Sequence, residues 1–188
     1  MAKFDIMFKR LLERGMLTVV VQVLAHSYQK QVAWVRWGRA SCRSTFGIAN
    51  KTRQGSVASP AFWSIYLDPL FTEILAAGVG CHLAGMFVGV VGYAVDLLLL
   101  APSRNAVQRM LRTCENFINK KNRQLSTDSN PRHSKSKALY VVGPRGAALP
   151  RPAPLILCSR PLLWVERAEH VGHALHQDGT ATQDCLSK

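Results

Sequence analysis

The chain has 188 residues, enough for a domain with its own core, and its 48% apolar and 19% charged content excludes a disordered polyelectrolyte. The formal charge of +13 implies a polyanion partner, nucleic acid above all, with two solvated basic faces as the plain alternative. Five scattered cysteines without a CxxC pair argue against a disulfide framework or a zinc ribbon.

The charge is concentrated. Residues 30–53 hold six basic residues and no acid. Residues 104–145 hold ten basic residues and two acids, Glu115 and Asp128. The remainder, with 8 basic and 9 acidic residues, is close to neutral, so the whole excess sits in these two blocks. The beginning of the chain has Asp5 and no apolar run, so an intracellular protein, nuclear or cytoplasmic and not secreted, is expected.

In chain order, residues 8–14 read as a helix end closed by Gly15. Residues 18–28 are apolar enough for a buried helix, and Val19-Val20-Val21 leaves strand as an option. Residues 32–37, rich in β-branched and aromatic side chains, predict one strand. On a strand, Trp34 and Trp37 fall on opposite faces, so at most one would be free to stack on a base. Core packing is at least as good a reading for each.

A basic loop follows, and then residues 62–77 predict a helix with Ile65, Leu70, Phe71 and Ile74 on one side. Pro69 should kink it or delay its regular part, and Gly78 and Gly80 should end it. The nearly uncharged stretch 83–101 is long enough to raise a membrane span, but Gly85, Gly89, Gly92 and Asp96 argue against one. Two strand-like runs flank Tyr93-Ala94-Val95-Asp96, which predicts a hairpin with an acid at its turn.

Ser103 then caps a helix whose Val107, Met110, Leu111, Cys114, Phe117 and Ile118 form one apolar stripe. Residues 137–142 read as a strand. Residues 143–154, with four prolines and two glycines, read as a linker. Short strands are expected at 155–157, 162–165 and 170–175, before a frayed tail at 177–188. His170, His173 and His176 recur every three residues, a spacing that alternates faces on a strand and cannot converge on a metal there. The order of elements predicts an α+β fold, helices packed on one face of an antiparallel sheet.

The chemistry concentrates in few residues. Gly55 in Arg53-Gln54-Gly55-Ser56 lets backbone approach a ligand closely, and the helix start beyond it favours a phosphate. Ser59-Pro60 follows, and some forty residues later comes Tyr-Ala-x-Asp between apolar strands.

In this order the pieces resemble the reverse transcriptase of non-LTR, LINE-type retrotransposons, jockey-like in character. Arg53-Gln54-Gly55-Ser56 with Ser59-Pro60 is similar to the RQG-SP motif, and residues 64–70 to the helix after it. Gly92-Tyr93-Ala94-Val95-Asp96 resembles the YADD turn with one acid lost. Lys135-Ser136-Lys137-Ala138-Leu139 resembles the lysine motif that ends the palm, and Glu169-His170-Val171-Gly172 the strand before the thumb.

The resemblance implies a polymerase palm-like antiparallel sheet lacking the fingers. It implies a partial palm at 1–142, a linker at 143–154, the palm end and start of the thumb at 155–176, and a tail at 177–188. It implies Arg53, Gln54, Gly55 and Tyr93 for template, nucleotide and primer-end contacts. Asp96 would be the catalytic and metal-ligating acid, and Lys137, or else Lys135, the proton donor near the triphosphate. RNA template, DNA primer and Mg²⁺ are the implied partners and cofactor, with no membrane partner.

Hard cations need oxygen ligands, and Val95 stands where the family carries the first Asp of the turn. Lys3-Phe4-Asp5 is similar to the residues that follow the family's first catalytic Asp, which places that Asp outside this sequence. One carboxylate cannot hold two Mg²⁺ ions, so an inactive RNA-directed DNA polymerase fragment is expected. A non-catalytic nucleic-acid-binding remnant and a fossil reading frame are the alternatives.

Overall fold

The computed structural model describes residues 3–42, 44–47, 59–93, 96–120, 125, 134–142 and 152–183. Among these it is a mixed α+β structure with four helices and short strands. The chain divides into two compact units, 1–68 and 69–188.

In the first unit, α1 (Lys3–Glu13) ends as predicted at Gly15, whose φ is +80°. The Gly15 N–H donates to Leu12 C=O at 2.9 Å and the Met16 N–H to Leu11 C=O at 3.0 Å, which satisfies the last carbonyls of the helix. α2 (Thr18–Gln29) is a helix and not a strand. Its inward residues Val21, Leu24, Ala25 and Tyr28 follow helical spacing, which overrides the β-preference of the valine run. They pack with Met7, Phe8 and Leu11 of α1 and with Phe62 and Ile65. The Tyr28 ring sits edge-on to Phe8 at 6.1 Å and to Phe62 at 6.0 Å.

The expected full burial of α2 is corrected. Val19 is 69% and Val23 63% exposed, because only one stripe of the helix meets a partner. The single strand expected at 32–37 is also corrected, since it is two. β1 (Val32–Ala33) pairs with β4 (Phe46–Gly47), and β2 (Arg36–Trp37) with β3 (Ala40–Ser41). Two separate partners break the run at Trp34 and Val35.

α3 (Ser59–Ala76) continues helical through Pro69, so the proline does not delay its start. A proline removes one backbone donor, and here the rest of the ladder carries the helix past it. Leu70 and Ile74 are fully buried. Gly78 closes the helix at φ +64°.

In the second unit, β5 (His82–Leu83) and β6 (Met86–Phe87) form a hairpin closed by Ala84 and Gly85. Positive φ at both turn residues matches strand twist. β7 (Val90–Tyr93) pairs with β8 (Asp96–Leu99). The Leu100 N–H donates to Gly89 C=O at 2.7 Å and the Cys81 N–H to Leu100 C=O at 3.0 Å, which joins the two hairpins. The described residues of the apolar stretch 83–101 are therefore strands and their connections. No helix among the described residues is long and apolar enough to cross a membrane.

α4 (Arg104–Lys120) starts where Ser103 Oγ accepts the Ala106 N–H at 3.3 Å. Its stripe is core as predicted, with Met110, Leu111, Cys114, Phe117 and Ile118 buried. A second, polar row on α4 holds the chain that follows the prolines. Arg104 donates to the carbonyls of Ala153 and Pro154, each at 2.9 Å. The Gln108 amide grips both backbone groups of Ile156, at 2.7 and 2.8 Å. Glu115 accepts the Cys158 N–H.

This row seats β10 (Ile156–Leu157), which pairs with β11 (Arg160–Pro161). The hairpin returns the chain so that β12 (Trp164–Val165) lies parallel to β9 (Ala138–Leu139). That pairing departs from the all-antiparallel expectation, because a crossover and not a tight turn connects the two strands. The strand expected at 137–142 shortens to β9. Leu111, Ala138, Leu155, Leu157 and Leu162 form the core beneath. Last come β13 (Arg167–His170), β14 (His173–His176) and β15 (Ala181–Gln183), an antiparallel sheet. β15 lies in the stretch expected to fray. The Asp178 carboxylate accepts from the Thr180 N–H at 2.9 Å and its hydroxyl at 2.7 Å, which forms the turn before it.

Two outcomes follow. Gln108→Leu keeps helix propensity but removes both hydrogen bonds to the exposed Ile156 backbone, so urea unfolding should show a loss of about 1 kcal/mol. Burial pushes the Cys114 thiol from 9.0 up to about 12, with the Glu115 charge adding to it. The folded state keeps that proton longer than the unfolded one, so stability should be complete below 9.0 and decline as pH rises toward about 12. In native protein at about pH 8, a thiol reagent should modify Cys42 and Cys158 and reach Cys114 only after unfolding.

Candidate functional site

The predicted acid-bearing hairpin is present. Tyr93 and Asp96 are directly opposed across β7 and β8, and both are exposed. Beneath them the helix comes very close. A Cβ on Gly92 would stand 2.5 Å from Cζ of Phe71 on α3, so only glycine lets that ring pack against the strand. The helix thereby supports the hairpin next to Tyr93.

Beyond Asp96 the chain enters a cleft of about 630 Å³. Leu97 and Leu98 of β8 form one side. Lys135 and Lys137, just before β9, form a second, and Arg167, Glu169 and His170 of β13 a third. Lys137 is exposed but anchored, because the next residue, Ala138, is buried and its N–H donates to Leu163 C=O at 3.0 Å. Arg167 lies 3.7 Å from Glu169, an exposed pair worth at most about 1 kcal/mol. The Nε2 of His170 is buried without a hydrogen-bond partner among the described residues. Cations outnumber acids on these walls, which suits an anionic ligand.

The structure revises several sequence readings. The three histidines do not share a strand. His170 and His173 pair across a turn at Val171 and Gly172, both with positive φ. The sequence argument against convergence therefore rested on the wrong element. Among the described residues no group of three His, Cys, Asp or Glu side chains could hold a metal ion. Asp96 is the carboxylate at the hairpin, and the residues described do not fit a two-Mg²⁺ centre.

Trp34 and Trp37 are both exposed, not one of the two, because the broken strand no longer enforces alternation. Arg104 and Arg109 sit in the second basic block, yet both bond to backbone. Arg104 ties down the chain at 153–154, and Arg109 donates to Ala77 C=O at 3.3 Å. Their charge is partly structural. Arg53, Gln54, Gly55 and Val95 lie outside the described residues.

A profile of the reverse transcriptase (RNA-dependent DNA polymerase) family matches residues 13–137. The match spans more than half of the chain, and the chain belongs to that family. Its substrates are nucleic acids and it generally uses divalent metal ions. The matched segment ends at Lys137, so the β13 wall of the cleft lies beyond it. No curated protein matches the chain.

The support under the hairpin is testable. Gly92→Ala should cost about 1–3 kcal/mol by urea unfolding, because the new methyl overlaps Phe71. Adding Phe71→Leu should recover part of that loss. Additive losses in the double variant would show that the two residues do not meet.

Proposed function

We propose that this chain is a palm segment of a non-LTR, LINE-type retrotransposon reverse transcriptase, jockey-like in its motifs. On this reading it binds nucleic acid but does not polymerise. The observation that carries the proposal is the cleft. It gathers the strand after Asp96, the Lys135 to Lys137 segment and the Glu169 to His170 strand, three motif segments in the family's order. The β7–β8 hairpin backed by Phe71 of α3 is what a polymerase palm needs to present an acid at a turn.

Within this reading, RNA template and DNA primer are the partners. Lys135, Lys137 and Arg167 neutralise backbone phosphates, and Lys137 places an ammonium donor where a triphosphate would lie. Arg53, Gln54, Gly55 and Tyr93 contact template, nucleotide and primer end. The family's Mg²⁺ would supply charge neutralisation and activate the primer hydroxyl. Val95 contributes no oxygen, and Asp96 has no neighbouring ligand set among the described residues, so no polymerisation step is assigned.

Purified chain with primed RNA, dNTPs and Mg²⁺ should show no extension above background, and Val95→Asp alone should not restore it. Template-dependent extension by either would overturn the inactive reading. The same substitution should cost at most about 1 kcal/mol in thermal or urea unfolding, since a carboxylate beside exposed Asp96 is repelled only weakly through water. RNA and DNA should bind with little sequence preference and with affinity falling steeply with salt. Lys135→Ala and Lys137→Ala should each reduce the salt slope by about one. An unchanged slope in both would remove the cleft from the interface.

A further inference from the structure

We infer that the arm formed by residues 34–42 of the first unit is a stacking platform for single-stranded nucleic acid, with Trp34 and Trp37 as its base-contacting side chains. The inference rests on the nucleic-acid reading above and adds the strand state of the ligand and the residues that would read it.

Four tryptophans occur in the chain, and the structure treats them in two ways. Trp63 packs edge-on against Tyr66 at 5.4 Å, and Trp164 against Tyr140 at 6.2 Å, half-buried. Trp34 and Trp37 are instead 59% and 86% exposed. Indoles are usually highly buried, so two left in water three residues apart are an unusual pair. The residue opposite Trp37 in the hairpin is Ala40, too small to cover it.

The surroundings favour a polyanion. Both indoles lie within residues 30–53, six basic residues with no acid among them. Arg36 Nε donates to the Gly38 carbonyl at 3.1 Å, which holds one guanidinium at the bend of the hairpin. The exposed Arg39 occupies the same two-residue turn, where Gly38 has φ +60°. Cations flanking uncovered aromatic faces are what single-strand binding requires. Phosphates meet the charges and unstacked bases meet the rings. A duplex hides its base faces and gains nothing from the rings.

The test uses the full chain and a labelled oligothymidylate, read by fluorescence anisotropy at fixed low salt, beside a duplex of equal length. The Trp34→Ala, Trp37→Ala double variant should lose about tenfold or more in single-strand affinity. Its salt slope should stay unchanged, because stacking releases no counterions. Duplex affinity should hold, and the Trp→Phe pair should keep most single-strand binding. Equal loss on both ligands, or no loss on either, would overturn the platform while leaving nucleic-acid binding intact. Absence of any binding by the wild-type chain would overturn both readings. Should the alanine variant fail to fold, acrylamide quenching of the wild type decides. Protection by oligothymidylate supports the platform. Protection only by vesicles of anionic phospholipid, or by self-association, overturns it.

Discussion

The second unit depends on one helix that bonds in two directions. The apolar stripe of α4 fills the core through Leu111 and its neighbours, while Arg104, Gln108 and Glu115 bond laterally to the backbone of residues 153–158. The chain arrives there from a proline-rich segment with few donors of its own. Without a partner, the β10 backbone would have only a two-residue hairpin to hold it. With it, β10 and β11 reverse the chain, β12 reaches β9, and Ala138 is pinned. Lys137 stands one residue away. The position of a residue that lines the cleft thus depends on α4 side chains that do not line it.

Local periodicity made much of this legible. The stripe of α4, the Ser103 cap, the Gly15 stop and the helical choice for α2 all depend on residues within a few turns of one another. Pairing was less legible, because it depends on remote partners. Nothing within residues 32–37 says that β1 and β2 pair with different strands, and nothing local predicts that β9 and β12 run parallel. The turn at Val171 and Gly172 was missed because valine seldom adopts positive φ. That one error joined His170 to a strand that holds only His173 and His176. Motif order singled out Tyr93 and Asp96 at the hairpin and Lys135 and Lys137 on the cleft wall, whereas it did not single out Arg167, since a lone arginine on a short strand carries no sequence signal.

Charge counting had a similar limit. The sequence places the basic excess in two blocks, and that distribution stands. A count does not distinguish an arginine that faces a ligand from one that holds a carbonyl. Arg104 and Arg109 both bond to backbone, so their removal would confound lost binding with lost structure. Lys135 and Lys137 are cleaner probes, being exposed on the cleft wall.

That the turn carries Asp96 beside a valine also bears on stability. Two carboxylates gathered at a hairpin tip repel each other, and a metal ion is what relieves them. A site built for metal is therefore strained whenever the metal is absent. Valine at position 95 puts no second carboxylate beside Asp96, so that repulsion does not arise here. What holds the hairpin here is independent of any ion: the strand register from Val90 to Leu99, and the Phe71 ring against Gly92. The hairpin can in this way keep its shape without a metal ion, because the packing that shapes it and the acid it presents lie on different residues.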